Sequence, residues 1–497
     1  MNFRGIDEGI EILFSNPSVK KSNWRNPFGV HILSLLILTA PVFACLPALA
    51  QEATSTLPVG TTGNNNKRQL YGNLRFEGMQ YMTTLPESPK LTYSQFLSAQ
   101  VSYVGETTWF ENGVDFGAGT FFSRSQSHIA VHELYTSPRT DGYRFYAGRK
   151  LNDWSAMDRE WNMGVWQPYF EIDALRPEPQ GLSGIFFDVN RDDYQVLAFA
   201  TPLFIPTMGP GIREENGALV SDSRWYRSPV SQQDFIGRPI PITYSLSVPE
   251  TTKLASHGGY GAMGRVGDKA QGAWIVTSAG YTPVNTLVLK RNIRVPILDP
   301  KVGVVVSPEV AYHQIFSTDI GYSTDSVRTT VSYMQDDPET KLPETDWAVQ
   351  RLTGIRAYSV NLDWNIPQFM TRSILLQLNY LKIDGGGITD IVSDGSPDTM
   401  NLFDQRMRFT NAIKAKIQGE LARFSGKPLF TKFSYLYDNV QKGSMINSEF
   451  LFYPSPKWAL VAGADILGVD NEDYKTSSFL NQYRANDRIY GGMTYVF

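Results

Sequence analysis

The chain has 497 residues, 45 Lys and Arg against 49 Asp and Glu for a formal charge of -4, 13% aromatic residues and a single Cys. Its aromatic content, with only 19% charged residues, excludes a disordered chain, and a mildly acidic chain without a basic block has no footprint for a nucleic acid. One Cys excludes an internal disulfide and a Cys-rich zinc site, and a slightly negative mean hydropathy excludes a bundle of membrane helices, each of which needs ~20 apolar residues.

In chain order, Lys20, Lys21 and Arg25 precede an apolar run, His31 to Ala50, that ends in Ala48-Leu49-Ala50 ahead of Gln51-Glu52. Basic, then apolar, then small is the order of a secretory signal peptide. Residues 1–50 are therefore predicted to be one, with an extended basic region, and Pro41 and Pro47 count against an uncleaved anchor helix. Residues 51–68 are small and polar and read as a flexible N-terminal segment. From 69 to 497 the texture is uniform, with no second boundary and no fixed repeat, so one domain is expected.

That domain alternates with period two. Leu97, Ala99, Val101 and Tyr103 alternate with Ser98, Gln100 and Ser102, and Tyr358, Val360, Leu362, Trp364 and Ile366 with Ser359, Asn361, Asp363 and Asn365. From Met407 to Glu420, Met407, Phe409, Ile413, Ala415 and Ile417 share one face, while Arg408, Thr410, Ala412, Lys414, Lys416 and Gln418 share the other. Leu429 to Tyr437 and Trp458 to Ile466 continue the pattern. Period two puts the two sets on opposite faces of a sheet. The segments are longer than soluble strands and suit a tilted bilayer crossing. Aromatics such as Trp364, Phe452, Tyr453 and Trp458 fall at segment ends, the depth of a water–lipid interface.

Short turns are expected near Ser137-Asp141, Asn190-Asp193, Pro367-Met370, Phe424-Lys427 and Pro454-Pro456. Long loops are expected near 151–180, 206–238, 335–344, 384–403 and 469–486. Strands between short turns and long loops define an all-β, antiparallel, up-and-down transmembrane barrel, with short periplasmic turns, long extracellular loops and both termini on the periplasmic side. About 18 strands are predicted, within 16 to 20, the uncertain stretch being Gly280 to Ser307.

The chain ends Tyr490-Gly-Gly492-Met-Thr-Tyr495-Val-Phe497. In position and residue type, Tyr490, Gly492, Tyr495 and Phe497 resemble the closing strand of Gram-negative outer-membrane barrel proteins of porin-like kind. The resemblance implies a location in the cell outer membrane, contact with outer-membrane lipid and recognition of those four residues by the barrel-assembly machinery. It names no particular porin family and leaves a homotrimer open.

A barrel of this size is wide enough for an aqueous channel, and the predicted function is passive diffusion of small hydrophilic solutes. Arg406, Arg408, Lys414, Lys416 and Lys432 form a basic ladder on the polar face that would favour anions. The simpler alternative is an ion-pair lattice with Glu420, Asp438, Glu449 and Asp465. Loop 151–180 carries Trp154, Trp161 and Trp166 among Asp153, Asp158 and Glu160. This set suits sugar stacking, though a self-packed external lid is simpler. Loop 206–238, with Gly209, Pro210 and Gly211 before Arg213, Glu214 and Glu215, is the expected constriction. Export of an anionic polysaccharide and a plugged structural or adhesive barrel are the other readings. An enzyme is not expected. The histidines match no metal motif, Ser127 and His128 point to opposite faces of a strand, and Asp192-Asp193 and Asp336-Asp337 read as solvated turns. No cofactor is expected.

Overall fold

The computed structural model describes residues 69–84, 91–124, 126–140, 142–235, 237–295, 301–369, 372–393, 397–398 and 403–497. The predicted signal peptide and the polar segment 51–68 lie outside them. The alternating segments form β1 (Gln69–Tyr81), β2 (Tyr93–Glu106), β3 (Phe110–Phe121), β4 (Gln126–Pro138), β5 (Arg144–Lys150), β6 (Leu182–Asn190), β7 (Tyr194–Leu203), β8 (Gly259–Val266) and β9 (Gly272–Pro283). They continue as β10 (Tyr312–Ser323), β11 (Val327–Pro338), β12 (Ile355–Phe369), β13 (Arg372–Gly385), β14 (Asn411–Phe424), β15 (Lys427–Asp438), β16 (Gly443–Ser455), β17 (Trp458–Val469) and β18 (Arg488–Val496).

Each strand pairs antiparallel with its sequence neighbours, and β18 pairs back onto β1 from Asn73↔Val496 to Tyr81↔Arg488. Among the described residues, 18 strands thus close on themselves and leave no edge. Closure is what lipid requires, because it offers backbone N–H and C=O groups no partner. The apolar set of each strand faces outward, with Leu74, Ile129, Ile185, Ile320, Val360, Ile413, Leu460 and Met493 all exposed.

Connections alternate as predicted. At one end lie 107–109, 191–193, 267–271, 324–326 and 456–457 together with the strand ends nearest both chain termini. At the other lie 151–181, 204–258, 284–311, 339–354, 386–410 and 470–487, together with two short connections that the sequence did not mark, the turn Phe122–Arg124 and 439–442. The uncertain stretch 280–307 is resolved by a second sheet. β9 stops at Pro283, and Val288–Arg294 and Val302–Glu309 pair with each other outside the barrel. They join Gln232–Phe235, Arg238–Leu246, Trp347–Leu352, Ile388–Ile391 and Pro397–Asp398 in a seven-stranded sheet built from the long connections. Its apolar residues serve their own cluster, in which Leu219, Ile242, Tyr244, Val304 and Val306 are buried together.

Two boundaries differ from the sequence expectation. The alternation from Met407 continues into a strand only at Asn411, because Asp438 Oδ2 accepts the Thr410 and Asn411 N–H groups and ends the ladder there. Met407 and Phe409 are buried in the preceding loop. At the other boundary β11 runs on to Pro338, so Asp336 is a strand residue rather than part of a solvated turn. It is fully buried, whereas Asp337 on the opposite face is exposed.

Candidate functional site: the barrel interior and its inserted loop

β5 spans only 7 residues, so the chain leaves the wall early and 151–181 folds inside the barrel. Its first leg follows the wall from β9 onward. The Trp154 carbonyl accepts from Ser278 on β9 (2.8 Å), and the helical turn Ala156–Trp161 is capped by Asp319 on β10, which accepts the Ala156 N–H (2.7 Å). Trp161 Nε1 donates to Ser359 on β12, and Glu160 meets Asn379 on β13 and Lys414 on β14 (2.7 Å). The return leg completes the circuit. Asp173 binds Arg488 on β18 (2.6 Å), Arg176 binds Glu77 on β1 (2.9 Å), Glu178 meets His132 on β4 and Gln180 meets Arg149 on β5.

The interior is divided by polarity. Against β6 to β11 the loop buries Trp154, Met157 and Trp166 on the inward Phe186, Leu197, Phe199, Met263, Val276, Ile315 and Met334, one continuous apolar cluster. Around β12 to β16 the inward residues from mid-wall toward the short-turn end are polar, Asp363, Gln377, Asn379, Lys414, Lys416, Gln418, Lys432, Asn447 and Glu449, while nearer the long-connection end Ile355, Ala357, Leu381, Ile383, Ala412 and Leu436 belong to the same apolar cluster. Two charged side chains on the loop remain wet. Arg159 keeps 59% of its side chain exposed and Asp153 keeps 37%. Asp153 also reaches Lys269 (2.9 Å) in the short connection 267–271, so this face of the loop opens toward the short-turn end. Burial works against ionisation of Asp153 and Glu160, but Arg159 and Lys269 around the first and Lys414 beside the second outweigh it and hold both carboxyls below their usual range.

The structure places the predicted basic residues on or above the polar wall, and most are paired. Arg406 and Arg408 lie in the connection before β14, where Arg406 binds Asp336 (2.6 Å) and Arg408 binds Glu171 (2.6 Å). Lys432 is 3.7 Å from Glu449. Of the expected acids, Glu449 serves the ladder. Asp465 binds Arg488 (2.7 Å), Glu420 binds Arg423 (2.7 Å), and Asp438 caps backbone. Two of the partners, Glu160 for Lys414 and Glu171 for Arg408, come from the inserted loop, and Asp336 for Arg406 comes from β11; sequence reasoning missed these pairings. Lys416, inward on β14 between Lys414 and Gln418, makes no ion pair among the described residues.

Arg213, Glu214 and Glu215 lie against the sheet built from the long connections, where Glu214 accepts the Leu246 N–H (3.0 Å). They are exposed on a hairpin, Arg213–Glu215 with Ala218–Val220, in which Arg213 binds Glu215 (2.5 Å) and Asp222 (2.8 Å). The segment that the hydrogen bonds above place inside the barrel is 151–181. The Gly and Pro residues of 206–238 permit sharp turns, but they do not say which way the chain folds.

His313 joins Asp336 (2.8 Å) and Thr282 (3.1 Å) in an acid–imidazole–hydroxyl chain of the kind hydrolases use. All three are buried, and Asp336 also holds Arg406, so the chain ties loop 386–410 to β9, β10 and β11. Ser127 Oγ lies 2.9 Å from Thr120 Oγ1 at an exposed position, while His128 stacks on Phe96.

In the closing strand, Tyr495 and Phe497 stack on the outer face, while Tyr490 points inward under the Arg176 guanidinium, 4.3 Å from its ring centre. Gly492 pairs with Glu77 across the seam. A Cβ there would meet the Phe76 carbonyl oxygen at 2.1 Å.

A closed antiparallel barrel with an even strand number, an apolar outer face and strands of up to 15 residues is a transmembrane barrel of the outer-membrane, porin-like class. No protein-family model matches the chain. No curated protein matches it either. Among solved structures it is similar to OccD3 (OpdP) of Pseudomonas aeruginosa, with 12% identity over 88% of this chain and 93% of that one and a TM-score of 0.43. It is also similar to the loop L8 deletion mutant of OmpT, an outer membrane protein of Vibrio cholerae, with 9% identity over 87% and 100% and a TM-score of 0.39. A third is Salmonella typhi OmpF in complex with daunomycin, with 11% identity over 87% and 98% and a TM-score of 0.37. The class rests on this chain's own strand pairing.

Proposed function

We propose that the protein is an outer-membrane diffusion channel for small hydrophilic solutes, with a path along the polar wall of β12 to β16 and a preference for anions. The observation that carries this reading is the charge inside the barrel: Lys414, Lys416 and Lys432 line the β14 and β15 wall, where Glu160 of the inserted loop holds Lys414, and Arg159 and Asp153 of the same loop stay exposed. Most of the ladder is neutralised by its partners, so Lys416 carries the selectivity. A unit charge ~7 Å from a passing ion in a water-like medium is worth ~0.6 kcal/mol, about threefold in partition. Reversal potentials of purified protein in planar bilayers under a KCl gradient should show chloride preference, and Lys416→Glu should shift it toward potassium. Cation preference of the wild type would contradict the anion reading, and absence of conductance would reject the channel.

A second reading, a plugged structural barrel, draws support from the apolar cluster that fills the β6 to β11 side. The same conductance measurement separates the two.

A further inference from the structure

The connection 204–258 leaves the wall between β7 and β8, half-way round the ring of 18 strands from β17. Yet its segment Ser223–Arg227 is anchored at β18 and β1. Arg224 is fully buried there. Its guanidinium donates to the backbone carbonyls of Thr83 (2.7 Å), Leu91 (2.8 Å) and Ala485 (2.5 Å) and to Asn486 Oδ1 (3.2 Å), and it stacks 4.3 Å from the Tyr81 ring centre. Asn486, also fully buried, returns a bond from Nδ2 to the Arg224 carbonyl (3.0 Å). Arg227 donates to the Gln482 carbonyl (2.6 and 2.9 Å), and Tyr483 Oη donates to the Trp225 carbonyl (2.8 Å) with the two rings 5.1 Å apart. Chain anchored on one side of the mouth and docked on the other must cross it.

We propose that Ser223–Arg227 is a strap closing the long-connection mouth, with Arg224 as its latch, and that solutes pass when the strap leaves its cradle. The inference rests on the channel reading above. The chemistry of the cradle suits a reversible closure. The acceptors that Arg224 uses among the described residues can exchange it for water at the small net worth of such bonds, and opening also exposes the buried Trp225 ring that packs on Tyr483, which keeps the shut state the resting one. Tight burial with polar anchoring gives two discrete arrangements instead of a continuous deformation.

Single-channel recording of the full-length protein tests this. Wild type should dwell mainly in a shut or low-conductance state, and Arg224→Gln should raise the open fraction about tenfold, the effect of losing a charged hydrogen bond. The double variant Arg224→Cys with Asn486→Cys should stay shut when oxidised and conduct when dithiothreitol is added, which decides the matter if Arg224→Gln does not fold. Trypsin cleavage after Arg227, slow in wild type and fast in Arg224→Gln, reads the strap without requiring conduction. Equal open fractions in wild type, variant and oxidised protein would overturn the gate and leave the channel standing. Silence of every form with the strap shown open by trypsin would overturn both.

Discussion

Arg488 shows how the interior is held together. It is fully buried on β18, with Asp173 from the inserted loop and Asp465 from β17 each accepting from the guanidinium within 2.7 Å. A buried cation is tolerated because both carboxylates compensate it, and removing it strands two negative charges. Such a loss costs about 3–5 kcal/mol. Arg488→Gln should therefore lower the temperature at which the folded barrel converts to the unfolded band in heat-modifiability gels, and an unchanged transition would contradict the lattice. Arg75→Gln is the control. Its side chain is 29% exposed and Glu77 keeps Arg176, so less than about 1 kcal/mol is expected. Gly492 is the second sensitive position, since a Cβ would fall 2.1 Å from the Phe76 carbonyl oxygen across the seam. Gly492→Ala should reduce the yield of closed barrel in refolding assays. Gly491, whose added Cβ would meet nothing closer than 3.6 Å, should tolerate Ala.

Among the elements, the inserted loop carries a titration of its own. Asp158 accepts the Val165 and Trp166 N–H groups (3.0 and 3.1 Å) and so fixes the turn that reverses the loop. Burial raises its pKa to about 6; these two bonds act the other way, and Asp336 adds to the rise. Burial also raises that of Asp487, at the base of the 470–487 connection, to about 6. A carboxyl with a raised folded pKa stabilises the fold fully below its unfolded value near 3.8, and that contribution is lost as pH rises through 6. Wild type should therefore lose stability between pH 4 and 7, by on the order of 1–3 kcal/mol per group. Asp158→Asn should flatten part of that slope in urea titrations. The loop's placement was hidden in the sequence for a physical reason. Trp161 and Trp166 find Ser359 and Ser317, residues 198 and 151 positions away. An aromatic, acidic segment looks the same locally whether it packs on itself outside or on a wall inside.

At the level of the whole molecule, closure and strand number were legible because two independent patterns agree. Alternation fixes which residues face lipid, and short and long connections in turn fix strand direction. The division of the interior was not legible, because Phe186, Phe199 and Met263 are inward residues that sequence alone reads as part of a buried strand. That division yields a crossed test. Phe199 is 5% exposed, its ring 4.8 Å from that of Trp154, so Phe199→Ala empties the dry side and should cost about 3–5 kcal/mol. Because no charge changes and the polar wall is untouched, its reversal potential in planar bilayers should match that of wild type. Lys416→Glu should do the opposite, moving the reversal potential while the thermal transition shifts by less than about 1 kcal/mol, since among the described residues Lys416 makes no ion pair and Glu160 beside it keeps Lys414. If Phe199→Ala moved the reversal potential as far as Lys416→Glu does, ions would be crossing the whole section of the barrel and not the β12 to β16 wall alone.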